Sequence, residues 1–492
     1  MRVIVVGAGF SGLSTACHLV GRGHEVVVLE RAPAPGGCAG VLEAGGYRID
    51  TGPSVLTMVD LLADTFAAAD ADIVDHLRLR PVDPMYRACF ADGTELRVRH
   101  GRDAMTDEIR EVCGPAEALA FERFSGWLRE LYELELPHFI ARNYDSPLDF
   151  AGQTRALTHL IRLGGMRNLA KQVASYFSDP RLQQLFSFQS MYAGLSPFEA
   201  LAIYSVITYM DTVRGVFFAD GGIHQVACGL SAAIEKGGGE VQLDTPVEGI
   251  VRGPSGSVRG VRLASGERLD ADAVVSTIDV SSTYRALLGL DPPRVTRRGR
   301  YSPSCVLWVA GVRGTPSADA THHNLHFGPS WREAFDALLR DGHRMPDPSI
   351  LVTSPTITDP TLAPAGGSVL YALEPAPNLD GAVDWHAERA GLRDELVARL
   401  DALGYPVGDV VVERLVDPLD WQAQGFERGT PFSLAHRFFQ TGPFRPRNVD
   451  RRVPGLVLAG MGTVPGVGIP MVLLSGRLAA ERVDQWAGQR GT

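Results

Sequence analysis

Three glycines and one acidic residue near the start of the chain have the types and the spacing of a dinucleotide-binding site. Gly7, Gly9 and Gly12 directly follow the apolar residues 3–6. At this spacing the first glycine permits a tight turn, the second lets the backbone approach a pyrophosphate, and the third lets the next helix pack on the strand. A second apolar run ends on Glu30, whose carboxylate we expect to accept hydrogen bonds from ribose hydroxyls. The pattern predicts a strand–helix–strand unit with the pyrophosphate at the helix N-terminus.

A second pair of glycines favours FAD over NAD as the dinucleotide. Gly36 and Gly37 come soon after Glu30, so the backbone is expected to run close to the nucleotide a second time. A chain that binds NAD usually continues into another helix at this point. Arg31 precedes the pair and is placed either to reach a phosphate or the adenine face, or to lie in solvent.

A third glycine-rich segment lies near the C-terminus. Residues 455–459 form an apolar run, and Gly460, Gly462 and Gly468 follow it before a helical stretch that contains Met471. The N-terminus of such a helix is a positive pole, which can stabilise negative charge on a reduced flavin ring. A purely structural strand–helix turn is the alternative. The predicted cofactor site also includes Gly52, Val55 and Val247.

The composition is that of a soluble globular protein with an acidic balance. The 492 residues are 45% hydrophobic and 21% charged, and the net charge of −10 gives no electrostatic footprint for nucleic acid. The 6 cysteines lack CxxC spacing and the 13 histidines form no obvious pair, so we expect neither a metal site nor a disulfide framework. The first predicted strand begins at residue 2 or 3, which leaves no room for a signal peptide. We expect a cytoplasmic protein, attached to a membrane from one side at most.

The order of patterns along the chain predicts an α/β protein that contains a long helical insertion. We expect a helix at about 56–75, a sheet at 77–100, and almost continuous helix at 104–212, interrupted by prolines and a glycine pair. After residue 214 the pattern returns to alternating strands and helices. The further expected elements are a helix at 223–236, strands at 241–243, 247–251, 258–263 and 270–277, strands at 305–312, 349–353 and 368–373, and a helix at 384–403.

One stretch of the insertion carries only positive charges. Between residues 150 and 178 the charged side chains are Arg155, Arg162, Arg167 and Lys171. Aliphatic residues of the same stretch can share one face of a helix: Leu157, Leu160, Ile161, Leu169 and Val173. A basic amphipathic helix of this kind binds an anionic membrane surface. A surface helix with a solvated basic face is the alternative.

Segments along nearly the whole chain resemble the bacterial and fungal phytoene desaturases, within the larger group of FAD amine-oxidase-like flavoproteins. The segments that carry this resemblance are the N-terminal motif, DTGPSVLTM at 50–58, LFSFQS at 185–190, GVFF at 215–218 with the glycines at 221 and 222, FRPRN at 444–448 and GMGTVPG at 460–466. Three positions depart from the family pattern. Cys38 and Val464 stand where an arginine and a histidine are common, and Gly152 stands where an acid is expected three residues before Arg155.

The resemblance implies a Rossmann-like FAD-binding domain that is split along the chain, a mixed-sheet substrate domain and a helical insert that docks on a membrane. The boundaries that follow are 1–75, 213–285 and 452–492 for the FAD-binding domain, 76–103 and 286–451 for the substrate-binding sheet domain, and 104–212 for the membrane-docking insert.

The resemblance also implies desaturation of a long apolar isoprenoid, phytoene towards lycopene, with hydride transfer to the flavin N5. Because this carotenoid substrate has no polar handle, its binding must come from burial in an apolar tunnel. Oxygen or a membrane quinone is the expected electron acceptor, since one nucleotide motif is evident. Arg155 is the candidate catalytic residue, by its correspondence to an arginine proposed to act near the flavin. A lipid-facing cation is the alternative role for it.

Two other kinds of function stay open at this point. One is a related carotenoid flavoprotein, namely an isomerase, a later-step desaturase or a ketolase. The other is a non-catalytic isoprenoid carrier on the same fold. The complete set of Gly7, Gly9, Gly12 and Glu30 argues against the carrier, because a carrier that binds no FAD has no need of it.

Overall fold

The computed structural model describes residues 1–490. Its strands are β1 (Arg2–Val6), β2 (Glu25–Leu29), β3 (Val41–Ala44), β4 (Tyr47–Asp50), β5 (Leu56–Thr57), β6 (Leu79–Pro81), β7 (Tyr86–Cys89), β8 (Glu95–Val98), β9 (Val216–Ala219), β10 (Glu240–Gln242), β11 (Val247–Arg252), β12 (Val258–Leu263), β13 (Arg268–Asp270), β14 (Ala273–Ser276), β15 (Ser304–Arg313), β16 (His323–His326), β17 (Ile350–Thr353), β18 (Gly367–Ala376), β19 (Val410–Val416) and β20 (Leu456–Leu458).

The α-helices are α1 (Phe10–Val20), α2 (Val59–Ala67), α3 (Arg102–Cys113), α4 (Pro115–Glu135), α5 (Thr154–Arg162), α6 (Leu169–Ala174), α7 (Pro180–Leu185), α8 (Ser205–Thr208), α9 (His224–Lys236), α10 (Val280–Ser282), α11 (Arg294–Arg298), α12 (Trp331–Asp336), α13 (Trp385–Ala402), α14 (Pro418–Ala423) and α15 (Ile469–Arg490). Short segments of 3₁₀- and π-helix connect several of them.

A five-stranded parallel sheet carries the predicted dinucleotide unit. Its strand order is β10-β2-β1-β14-β20, so distant parts of the chain return to the same sheet. Residues of α1, α9 and α15 pack on one face, and residues of β11 and β12 pack on the other. Parallel strands covered on both faces read as continuous apolar runs, which explains the valine-rich sequences of β1 and β2. The architecture is therefore α/β with a Rossmann-like sheet, as the sequence predicts.

A seven-stranded mixed sheet forms the second layer of the molecule. Its order is β19-β15-β18-β17-β16-β7-β8, and β16 pairs in parallel with β7 while the other pairs are antiparallel. α13 packs on one face through a cluster that includes Trp308 and Leu392. The other face joins the large core that the helical insertion completes. Strands β16 and β19 were not predicted from the sequence. The domain boundaries given above stay predictions.

Aromatic side chains hold the helices of the insertion together. The ring of Phe124 in α4 lies 5.1 Å from that of Phe177 and 5.3 Å from that of Phe186, between ring centroids. All three side chains are buried. Aromatic pairs at such distances add about 0.5–1.5 kcal/mol beyond the area they bury, so this cluster fixes the helices of the insertion against one another.

The helix predicted at 56–75 is only partly present. Leu56 and Thr57 form β5, which pairs with Phe217 and Val216 of β9. The α-helix is confined to α2, and a 3₁₀ turn at Ile73–Asp75 follows it. Pairing with a strand some 160 residues away overrides the local helix propensity, which is only a weak prior.

The prediction of one basic amphipathic helix at 150–178 is wrong. The stretch contains two short helices, α5 and α6, separated by a turn in which Gly164 has a φ of +82°. Because of this turn, α5 and α6 do not share one continuous apolar face. Leu169 and Val173 of α6 are fully buried, whereas Ile161 of α5 is 56% exposed. The four basic side chains of the stretch are nevertheless all exposed.

No helix in residues 1–490 is long and apolar enough to cross a bilayer. Within the same residues, no group of three or more His, Cys, Asp or Glu side chains is arranged to hold a metal ion.

We expect Gly12→Ala to destabilise the fold. A Cβ atom at residue 12 would lie 1.9 Å from the Gly7 carbonyl oxygen, so α1 would have to move away from β1. Overpacking of this kind costs about 1–3 kcal/mol, and the thermal unfolding midpoint, followed by circular dichroism, should fall.

Gly126→Ala is the matched control. Gly126 is exposed within α4, and a Cβ there would meet no atom of the described chain within 4 Å. This variant should be more stable than the wild type by about 0.5–1 kcal/mol. A Gly12→Ala midpoint at or above the wild-type value would contradict the close-contact role of Gly12.

Candidate cofactor and substrate site

The turn between β1 and α1 forms a cradle with no side chains in it. Gly7 has a φ of +101°, and its N–H donates to the Leu29 carbonyl at 2.8 Å. Gly9 is the N-cap of α1, and the nearest atoms to a Cβ placed there are 3.9 Å away. The open space beside Gly9 and the free N–H groups at the start of α1 fit a pyrophosphate. Gly7 and Gly9 line a cavity, whereas Gly12 lies behind them and only permits the close packing.

Glu30 closes the cradle at the end of β2. Its Oε2 accepts a hydrogen bond from the Ala8 N–H at 2.7 Å, and its Oε1 accepts one from the Ala32 N–H at 3.0 Å. The side chain is only 8% exposed, yet it lines the cavity. A carboxylate can accept about four hydrogen bonds, so it keeps capacity for the ribose hydroxyls that the sequence predicts as donors.

The second pair of glycines packs directly on the first motif. The Gly36 N–H donates to the Ala8 carbonyl at 2.8 Å, and a Cβ at Gly37 would lie 3.1 Å from the Gly9 Cα. Gly36 and Gly37 have φ values of +122° and +58°, a region that favours glycine. The exposed Arg31 also lines the cavity, and its guanidinium donates to the Gln424 carbonyl at 2.7 Å.

The C-terminal glycine segment faces the same cavity, and a Cβ at Gly460 would lie 3.2 Å from the Ser11 Oγ at the start of α1. Gly460 has a φ of +105°, Gly468 a φ of +109°, and α15 begins directly after them at Ile469. The remaining predicted cofactor residues line the cavity as well: Gly52, Val55, Val247, Gly462 and Met471. The structure thus brings together segments separated by more than 400 residues, although their contacts with a cofactor stay predictions.

Arg445 is a structural residue of this region that the sequence analysis missed. Its guanidinium donates to the carbonyls of Met461 at 2.6 Å and Thr463 at 2.9 Å. The side chain is 2% exposed, and burial lowers the pKa of Arg445 to about 10. A cation held on these carbonyls fixes the glycine loop. Its signal in the sequence is the FRPRN segment at 444–448, which carries part of the family resemblance but assigns no role to Arg445.

The cavity is continuous from the glycine cradle into the helical insertion. Its volume is about 1530 Å³, whereas pockets for small ligands usually measure about 300–1,000 Å³. Beyond the cradle its walls are mainly apolar. The apolar side chains there include Phe139, Ile140, Phe150, Leu160, Phe188, Ile207, Met210, Leu307, Phe327 and Leu373. The space can therefore take a dinucleotide at one end and a long apolar molecule beside it.

Part of the cavity wall reaches the surface of the insertion. Ile161, Met166 and Phe438 line the cavity and are 56%, 38% and 50% exposed. An apolar wall that continues onto an exposed apolar surface provides an entrance for a molecule without polar groups.

Arg155 does not lie where the sequence analysis expects a catalytic residue. Its exposed side chain is on α5, beside Arg162 in a shallow surface depression. It is not among the described residues that line the cavity. This position gives no support to a role near the cofactor, and it fits the alternative role of an exposed cation.

Comparison with known proteins also indicates a flavoprotein. Residues 10–484 match the family described as flavin-containing amine oxidoreductases. A phytoene dehydrogenase of Streptomyces griseus is 46% identical over 98% of this chain and 95% of its own length. An all-trans-zeta-carotene desaturase of Myxococcus xanthus is 34% identical over 99% of this chain and 94% of its own length.

Among solved structures, an oxidoreductase from Methanosarcina mazei superposes with a TM-score of 0.61 at 17% identity and covers 98% of this chain and 100% of its own. At that identity the likeness shows the fold alone. The flavin-containing family and the dinucleotide cradle together identify the cofactor as FAD.

We expect Gly9→Val to yield a folded protein without FAD. The Gly9 φ of −71° suits any residue, and the position has room for a Cβ, but the valine methyl groups would fill the cradle. The ratio of flavin absorbance to protein absorbance after purification measures the effect, with Gly126→Ala as the control that keeps its FAD. A yellow Gly9→Val protein with stoichiometric FAD would show that the pyrophosphate binds elsewhere.

Proposed function

We propose that this chain, which belongs to the family of flavin-containing amine oxidoreductases, is an FAD-dependent carotenoid desaturase that converts phytoene towards lycopene. The chain is an oxidoreductase that acts on CH–CH bonds. The single observation that carries the substrate proposal is the apolar cavity that continues from the cofactor cradle. The similarity to a phytoene dehydrogenase over nearly the full length supports it.

The cavity suits a substrate that offers only apolar surface. Burial contributes about 25 cal/mol per Å² of apolar area, and the aromatic and aliphatic walls described above provide that contact. The same walls keep water away from the reacting carbons. When bound, FAD supplies the hydride acceptor for removal of hydrogen from a saturated carbon–carbon bond. The cradle of Gly7, Gly9 and Glu30 holds its adenine half, and the loop fixed by Arg445 faces its ring.

A later-step desaturase is the second candidate. The relative from Myxococcus xanthus, which is 34% identical, is named for zeta-carotene, which is already partly desaturated. Oxygen or a membrane quinone remains the proposed electron acceptor for either substrate.

We further propose that the protein is peripherally attached to the cytoplasmic side of a membrane, from which the substrate enters. The exposed side chains around the cavity entrance are unusually apolar, with Leu148 80% and Phe439 72% exposed. Four basic side chains are exposed on α5, on α6 and on the turn between these helices: Arg155, Arg162, Arg167 and Lys171. Apolar side chains that insert among lipid tails and cations that attract anionic headgroups are the two components of interfacial binding. We call this set of residues the docking surface.

Conversion of phytoene is the direct test of the substrate. Purified holoprotein with phytoene in liposomes should give more conjugated, coloured products, separated and identified by chromatography and absorbance spectra. Parallel incubation with zeta-carotene distinguishes the two candidates: turnover of zeta-carotene alone would favour the later-step enzyme. Phytoene and zeta-carotene that both remain unchanged would contradict a desaturase.

We expect reversal of Arg162, Arg167 and Lys171 to Glu to weaken binding to anionic liposomes by at least about a hundredfold, because each basic residue near such a surface contributes about 1 kcal/mol. Flotation of protein with liposomes at low and high salt measures the binding. A matched control reverses three exposed arginines far from the insertion, Arg252, Arg259 and Arg262, and should float like the wild type. Equal loss in both triple variants would mean that overall charge, rather than the docking surface, controls binding.

A further inference from the structure

Six acidic side chains are buried within residues 1–490, and only two of them lack polar partners. Four are held by backbone N–H groups or arginines: Glu30, Asp359, Glu374 and Asp417. The other two, Glu135 and Asp211, accept no hydrogen bond of good geometry from any residue in that range. Both line the cavity. An unsatisfied buried carboxyl group destabilises a fold, so its presence beside a reaction cavity calls for a functional reason.

Asp211 lies on a π-helical turn at Tyr209–Val213 and is 3% exposed. Neither of its carboxyl oxygens is accessible to solvent or hydrogen-bonded within the described chain. Burial raises the pKa of the Asp211 carboxyl to about 7, and the facing Tyr86 hydroxyl opposes this shift. A carboxyl group with a pKa near neutrality can both accept a proton and release it again.

Polar groups continue from Asp211 away from the cavity. The Tyr86 ring lies 5.5 Å from that of His323, and the His323 ring lies 4.4 Å from that of His322, between centroids. The Tyr86 hydroxyl and the Nε2 atoms of both histidines are buried without a partner in residues 1–490. Several unsatisfied polar atoms in one cluster are the usual setting for ordered water.

This polar cluster ends near the surface and carries no positive charge. The His322 Nδ1 lies 2.6 Å from the hydroxyl of Thr358, which is only half-buried. Burial lowers the pKa of His322 to about 3, so its imidazole is neutral and forms no ion pair with Asp211. The cluster therefore does not neutralise the acid, and its polar atoms provide a path by which a proton can leave.

Resting on the proposed desaturation, we propose that Asp211 is the catalytic residue that accepts the proton lost by the substrate. One carbon gives up its hydrogen as a hydride, for which bound FAD would supply the two-electron acceptor. The Asp211 side chain, whose oxygens are buried at rest, turns into the cavity that the residue lines. The adjacent carbon then gives up its hydrogen as a proton to the Asp211 carboxylate, and the electron pair left behind becomes the new C=C bond. The proton then leaves through the polar cluster, which returns Asp211 to its starting state.

Glu135 is the other unsatisfied acid, and its Oε1 is buried without a partner in residues 1–490. Burial alone raises its pKa well above the ordinary value. Its polar neighbour Tyr204 already donates its hydroxyl to the His436 carbonyl. Asp211, both of whose oxygens are buried beside the polar cluster, is the proposed acceptor, and Glu135 serves as the comparison.

The test compares wild type, Asp211→Asn, Asp211→Glu and Glu135→Gln as FAD-loaded proteins with phytoene in liposomes. Asp211→Asn should lower the desaturation rate by about 10²- to 10⁴-fold, the usual contribution of a general base. Asp211→Glu should recover part of that loss, and Glu135→Gln should lose less than Asp211→Asn. The FAD-to-protein ratio and the thermal midpoint of the FAD-free protein are read in parallel. The FAD-to-protein ratio should be unchanged in Asp211→Asn, and the midpoint should not fall, because removing an unsatisfied buried charge does not destabilise the fold.

Each other outcome overturns the inference. An active Asp211→Asn beside an active wild type overturns the role of Asp211 and leaves the proposed function standing. Loss of rate together with lost FAD or a lowered midpoint assigns Asp211 a structural role instead. A larger loss in Glu135→Gln than in Asp211→Asn moves the acceptor to Glu135. A wild type that desaturates neither phytoene nor zeta-carotene overturns the proposed function, and the role of Asp211 with it.

Discussion

The parallel pairing of β2, β1, β14 and β20 is the constraint on which the site depends. Parallel strands place their carboxyl ends at one edge of a sheet, and ligands bind outside that edge. The turn after β1 carries the first glycine motif, the end of β2 carries Glu30, and the loop after β20 carries Gly460. A chain of 492 residues thus folds back on itself so that its two ends face one cavity.

The parts of the site that depend on local pattern could be predicted from the sequence. The spacing of Gly7, Gly9 and Gly12 is a requirement of one turn and one helix, and nothing distant is needed to recognise it. Strand β14 and helix α9 can be predicted for the same reason, because β14 is one contiguous apolar run and α9 is bounded by nearby glycines.

Features set by distant contacts could not be predicted in this way. Strand β5 exists because β9 pairs with it, against an alanine-rich context. The basic stretch is interrupted at Gly164 and forms two helices instead of one. Periodicity along the sequence therefore could not predict whether Leu160 and Leu169 share one helical face. Nothing in the sequence around Asp211 distinguishes it from other acidic residues. Its lack of partners is visible only when β7, β16 and the insertion are packed around it.

FAD has a second role that follows from the continuity of the cavity. The groove for the dinucleotide and the apolar chamber are one space, so the bound cofactor forms part of the chamber wall. Without it, a large apolar surface is open to water, a condition that promotes aggregation. By thermodynamic linkage, a ligand that binds only the folded state stabilises that state in proportion to the logarithm of its concentration. Binding of FAD would therefore stabilise the folded protein in addition to enabling its activity.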